Sequence, residues 1–313
     1  MKASKVRSAI SALIDSKIPS LLWGPPGIGK SSILKQVSQD KGMEFIDLRL
    51  SMMDANSIEL LPSSLPKEGK GILLFDQLNS APSSVQGLVY QLIFDRQVGE
   101  YKLPDGWATV VSENLGMDSG VVDKMPAHLA NRFVHLDMEV DINDWKVWAY
   151  SAGIDERVIA YIGYKNEDLF TFNPSFQGKS FATPRSWESV SGILRSGMDE
   201  DLLLDVISGA IGKGRAISFL SFSKVVEELP DIEAILEKAE AEYPTQPDIL
   251  YMLASVLVSY LLRYNNEQHL ENVLKYTLEL QPEFAVMIVQ DLQRSGLVLE
   301  NSPSFALWVR KYA

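Results

Sequence analysis

The sequence has no cysteine, so disulfides and thiolate metal sites are excluded. Histidine is almost as scarce: His128, His135 and His269 are scattered, which disfavours a structural metal centre. No apolar run approaches the ~20 residues that span a bilayer. The basic start, Met1-Lys2-Ala3-Ser4-Lys5-Val6-Arg7, is followed by no long apolar core or cleavage site. No signal peptide is read there, and a cytoplasmic protein is the expectation. Positive charge is in deficit, with 29 Lys and Arg against 41 Asp and Glu and a net charge of −12. Nucleic-acid binders usually carry a basic face, because neutralising phosphates supplies most of their affinity. The balance therefore opposes a general DNA or RNA binder, while leaving room for a local basic patch or a ring with a basic pore. Hydrophobic residues make up 46% of 313, enough for two domains and a sizeable core.

The most informative stretch is Leu21-Leu22-Trp23-Gly24-Pro25-Pro26-Gly27-Ile28-Gly29-Lys30-Ser31-Ser32. A short apolar run reads as a buried strand, and Lys30 to Gln39 reads as a helix. Between them lies the pattern G-x-x-x-x-G-K-[ST], without a mismatch. Glycines let backbone N–H groups approach a polyphosphate closely, and the helix offers its N-terminus to the same anion. Lys30 is positioned for the β- and γ-phosphates of a nucleotide, and the Ser31 hydroxyl for Mg²⁺. The bland alternative, a glycine turn before an ordinary helix, is weakened by the strand and helix on either side.

The rest of the first half alternates. Ser8 to Ile18 reads as an amphipathic helix and Met43 to Leu50 as a strand, with a short helix and loop over Ser51 to Lys70. Gly71-Ile72-Leu73-Leu74-Phe75-Asp76 reads as a strand buried on both faces. An Asp at the carboxyl end of such a strand sits where doubly wound sheets bind ligands, so Asp76 is assigned to Mg²⁺ through water, opposite Ser31. The alternative is an Asp that caps the next helix. A helix over Ser83 to Phe94, a hairpin arm at Val98 to Leu103, a strand at Trp107 to Ser112, a short helix from Pro126 to Asn131 and a strand from Phe133 to Met138 complete a parallel α/β sheet.

After about Asp141 the strands stop. One helix is expected over Trp145 to Gly163, then a polar loop from Asn166 to Ser180 and a helix opened by Thr183-Pro184-Arg185. Helices follow at Asp199 to Ile211 and Ala216 to Glu228. Gly209, Gly212 and Gly214 read as a helix-ending turn. Pro230 marks a break, after which five further helices run to the end and Glu237 to Glu242 reads as a solvated helix face. The expected domains are 1–140 (nucleotide-binding α/β), 141–229 (helical lid) and 230–313 (C-terminal helical extension).

Three segments carry a family resemblance: the glycine-rich loop, Phe75-Asp76-Gln77-Leu78-Asn79, and Met125-Pro126-Ala127-His128-Leu129-Ala130-Asn131-Arg132-Phe133. With them go Ser80-Ala81-Pro82-Ser83-Ser84-Val85-Gln86 and Asp95-Arg96-Gln97-Val98-Gly99-Glu100. Over about Val6 to Leu194 the chain resembles AAA+ ATPases, and among them the MoxR-like proteins of bacteria and their phages. The resemblance implies a P-loop NTPase sheet followed by an all-α lid, with ATP and Mg²⁺ as ligands. It implies Asn114 as the first sensor, orienting the attacking water; Arg132 as an arginine finger reaching the neighbouring subunit's nucleotide; and Arg185 as the second sensor, in the lid. Each has a plainer reading, as a turn cap, a helix-end cation and a first-turn surface residue. The family places Glu after the metal-binding Asp. Here Gln77 stands there, and an amide cannot accept a proton as a carboxylate does. Glu113, which precedes the sensor position, is a weaker candidate to supply that carboxylate.

Four functions follow from these readings. The first is a ring-forming, generally hexameric ATPase that remodels or activates a partner protein; the resemblance suggests one with a von Willebrand factor A domain. The second is a non-hydrolysing ATP-dependent scaffold, motivated by Gln77. The third is a nucleic-acid motor or loader, opposed by the net charge. A small-molecule kinase is a weaker fourth.

Overall fold

The computed structural model describes residues 1–53, 65–114, 125–175 and 178–312, and the chain divides into two compact units, Met1–Val140 and Asp141–Ala313. The middle of the segment expected as a short helix and loop over Ser51 to Lys70 lies outside the described residues.

The first unit is built on parallel pairing of short apolar runs. Its elements are α1 (Ala3–Asp15), β1 (Ser20–Gly24), α2 (Lys30–Asp40), β2 (Glu44–Arg49), β3 (Lys70–Asp76), α3 (Ser83–Asp95), β4 (Gln97–Val98), β5 (Tyr101–Lys102), β6 (Gly106–Asn114), α4 (Ala127–Ala130) and β7 (Val134–Asp137). Five strands form one sheet in the order β2-β3-β6-β1-β7, every pair parallel. The register sets Gly24 opposite Asn114 and Asp76 opposite Ser112, so the carboxyl ends of β1, β3 and β6 finish level with one another. β4 and β5 make a separate antiparallel pair of two-residue strands, the hairpin arm. Arg96 pins the chain at its base, with Nη2 donating to Pro104 O (2.8 Å) and Trp107 O (3.0 Å).

The pleat sends alternate residues to opposite faces. Leu21, Leu73, Phe75, Trp107 and Val111 form one core with Val85, Val89 and Leu92 of α3. Leu22, Ile72, Leu74 and Val110 alternate with them and are also buried, which accounts for the continuous apolar runs of these strands. α2 packs on β2 and β3 and against α1. The doubly wound parallel sheet expected from the sequence is present.

The second unit is all helical among the described residues: α5 (Ile142–Ser151), α6 (Glu156–Tyr164), α7 (Pro184–Arg195), α8 (Glu200–Ile211), α9 (Lys213–Ser223), α10 (Ile232–Lys238), α11 (Pro247–Tyr264), α12 (Glu267–Thr277), α13 (Pro282–Arg294) and α14 (Pro303–Tyr312). The single helix expected over Trp145 to Gly163 is two. Gly153 adopts φ +65° and Asp155 starts a new helix by accepting from the Arg157 N–H at 3.0 Å. A 3-10 turn, Asn166–Leu169, occupies part of the expected polar loop. Of the three clustered glycines only Gly212 ends a helix, at φ +87°; Gly209 and Gly214 lie inside α8 and α9. The acidic run is mostly outside a helix, because α10 stops at Lys238 and Ala239 turns left-handed at φ +58°. Tyr161, Trp187 and Phe219 meet with ring centroids 5.4–5.6 Å apart, joining α6, α7 and α9. α11 packs along α6, and buried Lys146 of α5 pairs with buried Asp291 of α13. Helices after Pro230 thus share a core with those before it. Among the described residues, no helix is long and apolar enough to cross a membrane.

Candidate nucleotide site

β1 delivers the chain to the carboxyl edge of the sheet at Gly24, and α2 begins six residues later. The intervening loop needs backbone angles that side chains resist: Gly27 has φ +76° and Gly29 φ +100°. Lys30, the first residue of α2, is only 7% exposed. Its Nζ donates to Gly24 O (2.8 Å), Pro25 O (3.0 Å) and Asn114 Oδ1 (2.8 Å). The motif lysine and the asparagine at the end of β6 are therefore in direct contact, although 84 positions apart in sequence. Ser31 and Ser32 follow on the first turn of α2.

Asp76 ends β3, two strands from β1. By pleat parity it lies on the face opposite Phe75, as do Ser112 and Asn114 relative to Val111. Gln77 follows in a left-handed conformation, φ +59° and ψ +49°, with its N–H donating to Ser112 O at 2.8 Å. Burial and the neighbouring Asp76 charge push the Asp47 carboxyl above the usual carboxylate range. Burial, reinforced by Asp76 and opposed by the Asn79 N–H and by Lys30, lifts Glu113 from 4.5 to about 7. Asp47 and Asp76 share one face of this edge, with Arg49 in register opposite Asp76, while Glu113 leaves on the other face. A hydroxyl and a carboxylate are hard oxygen donors that suit Mg²⁺, and a divalent cation relieves the like-charge crowding at Asp47 and Asp76.

Arg132 is not part of this cluster. It follows α4, is exposed, and its guanidinium lies over the Phe94 ring, 3.8 Å from the centroid. Lys17, Pro19, Phe94, Arg96 and Thr109 share with it a cavity of about 250 Å³. Lys17 and Pro19 precede β1, so this cavity lies toward the amino ends of the strands whose carboxyl ends meet Lys30. Arg185 belongs to the second unit, exposed on the first turn of α7, behind a capping box between Thr183 and Ser186.

The Phe94 platform under Arg132, the cations Lys17 and Arg96 lining the same cavity, and the burial of Glu113 were not legible in the sequence. Lys17 and Arg96 both adopt positive φ, +52° and +56°, which no composition signal announces. A charged residue in an otherwise apolar strand was the available signal for Glu113.

No curated protein matches the chain. Among solved structures, similarity is found to a mutant of Thermotoga maritima RuvB, at 17% identity over 86% of this chain and 87% of that one, with a TM-score of 0.43. The T. maritima RuvB Holliday junction branch migration motor gives 16% identity over 99% and 94%, with a TM-score of 0.39. NtrX from Brucella abortus in complex with ADP gives 14% identity over 94% of this chain and 68% of that one, with a TM-score of 0.42. Residues 20–93, the stretch from β1 through the glycine loop to α3, match the family model described as AAA, ATPase family associated with various cellular activities.

Proposed function

We propose that the chain is an ATP-binding, Mg²⁺-dependent AAA+ ATPase of MoxR type that assembles into a ring, six-membered as is usual in that superfamily, and remodels or activates a partner protein. The observation that carries this reading is the buried Lys30 ammonium, held at the mouth of the glycine loop by Gly24 O, Pro25 O and Asn114 Oδ1. Phosphate oxygens are stronger acceptors for an ammonium than neutral carbonyls, so a polyphosphate entering the loop exchanges weaker partners for stronger ones. The loop N–H groups from Gly27 onward, Pro25 and Pro26 having none, and the N-terminus of α2 suit the same anion. Ser31 and, through water, Asp76 would hold Mg²⁺, which would neutralise the β- and γ-phosphate charge.

Asn114, released from Lys30, has its amide available to orient water. Gln77 can hydrogen-bond that water but cannot take its proton, which slows hydrolysis by about 10²–10⁴ relative to a carboxylate. Arg132 lies toward the opposite end of the strands from Lys30, which suits a cation that acts on a neighbour's nucleotide rather than its own. Arg185 keeps the second-sensor role that the resemblance implies, the hairpin arm faces the pore or the partner, and a von Willebrand factor A domain is the partner chemistry it suggests. The setting is cytoplasmic. Gln77 also favours a second reading, an ATP-dependent scaffold that assembles without turnover. A nucleic-acid motor is disfavoured by the net charge of −12.

The test is steady-state ATPase activity of the chain beside Gln77→Glu, with assembly mass recorded with and without ATP and Mg²⁺. The expected result is ATP-dependent assembly of both, with turnover at least about 10²-fold faster in Gln77→Glu. Assembly of both without turnover favours the scaffold. Absence of ATP binding contradicts the proposal.

A further inference from the structure

β6 ends in Ser112-Glu113-Asn114, and the pleat sends Glu113 and Asn114 to opposite faces. Asn114 meets Lys30. Glu113 goes the other way, sharing its face with Trp107 and Val111 under α3, and is 4% exposed. Burial lifts the nearby Tyr90 phenol to about 12, with the Glu113 charge adding to it, which places the carboxylate on the α3 side of the sheet.

What the buried carboxylate holds is the turn after Asp76. Glu113 Oε1 accepts the Asn79 N–H at 2.8 Å, and the Leu78 N–H also steadies the carboxylate. These are the first amides after Gln77, whose own N–H is held by Ser112 O at 2.8 Å. From α3, Gln86 Nε2 donates to Ala81 O at 2.9 Å. A left-handed non-glycine residue costs on the order of 1 kcal/mol and persists only where its surroundings over-determine it. Here β6 backbone, Glu113 and Gln86 supply those constraints around Gln77.

We propose that Glu113 is a positioning residue of the nucleotide site, which acts from the far face of the sheet by accepting the Asn79 amide and so fixes the Asp76–Gln77 turn toward the glycine loop. The inference rests on the nucleotide-site reading above. It gives Glu113 a role through the turn, not as a replacement base, because its side chain leaves β6 on the face opposite Asn114.

The full chain is compared with Glu113→Ala, which leaves the Asn79 N–H without its acceptor, and Glu113→Gln, which keeps an oxygen for it. Two properties are read: amide hydrogen exchange across 77–81 in nucleotide-free protein, and affinity for a fluorescent ATP analogue with Mg²⁺ and with EDTA. In Glu113→Ala, exchange at Asn79 rises at least about tenfold. Its affinity in EDTA stays within about threefold of the parent, while most of the gain in affinity that Mg²⁺ brings is lost. Glu113→Gln stays close to the parent throughout. Should the alanine variant fail to fold, Glu113→Asp, one methylene shorter, is read in its place with the same expectation. The proposal is overturned if exchange rises while the Mg²⁺ gain is unchanged, or if Glu113→Gln fails as completely as the shortened variants, which would make the charge and not the positioning decisive. If the parent binds the analogue under neither condition, the nucleotide-site reading itself fails.

Discussion

Glu113 at the end of β6 and Lys30 at the start of α2 are ionisable groups of opposite sign buried near the carboxyl edge of the sheet, and each is tolerated only because of named partners. For Glu113 the partners are incomplete, and its carboxyl holds a proton to about 7 against 4.5 in an unfolded chain. Between those values the folded state binds more protons than the unfolded one, so this group's contribution to stability falls as pH rises from 4.5 to about 7 and is level above that. Relative to the parent, Glu113→Gln should therefore gain roughly 3 kcal/mol between those limits, read as the difference between two denaturation series. A constant difference across the range would show that Glu113 titrates alike in both states. The glycine loop was legible in the sequence because its chemistry is local: glycines, Lys30 and Ser31 lie within a few positions of one another. The Glu113 clamp was not, since its partner Asn79 lies 34 positions away and only the β3–β6 register brings them together.

At the scale of elements, apolar runs and flanking glycines identified the strands, while helix ends were misjudged wherever a single backbone angle decided them. The break at Gly153 is the clearest case: Trp145 and Ala149 of α5 and Val158 and Ile162 of α6 are all buried, so each half reads as helical, and the turn between them is set by Gly153 at φ +65°. Two elements offer direct tests. A Cβ at Gly71 would lie 2.5 Å from Trp107 ring carbons and 2.8 Å from Glu44 O, so Gly71→Ala should cost about 1–3 kcal/mol by forcing β3 away from its neighbours. Urea denaturation measures this, and a neutral result would contradict the packing of β3 against β6. In the second unit, the Thr183 hydroxyl accepts the Ser186 N–H at 3.2 Å and caps α7. Thr183→Ala should lose about 1 kcal/mol in the same measurement; no loss would mean that the cap is idle.

At the scale of the whole molecule, the position of Arg132 matters most. It stacks on Phe94 toward the amino ends of strands whose carboxyl ends surround Lys30. If the proposed ring forms, a cation so placed predicts complementation between subunits. In a Gln77→Glu background, Lys30→Ala and Arg132→Ala should each be inactive alone, the latter by about 10³-fold or more. Mixed, they should recover turnover at interfaces where an intact loop meets an intact arginine. Recovery absent from mixtures that do co-assemble would place Arg132 outside the reaction. The negative net charge, visible from composition alone, further predicts no salt-dependent affinity for DNA or RNA in a filter-binding titration.

Whether Gly24 to Ser32 cradle the phosphates of ATP is decided by the equilibrium ATP affinity of the full chain beside Lys30→Ala. Micromolar binding by the parent, on the order of −8 kcal/mol, weakened at least about tenfold by Lys30→Ala, is the predicted result. Binding absent from the parent, or equal in both proteins, would contradict it.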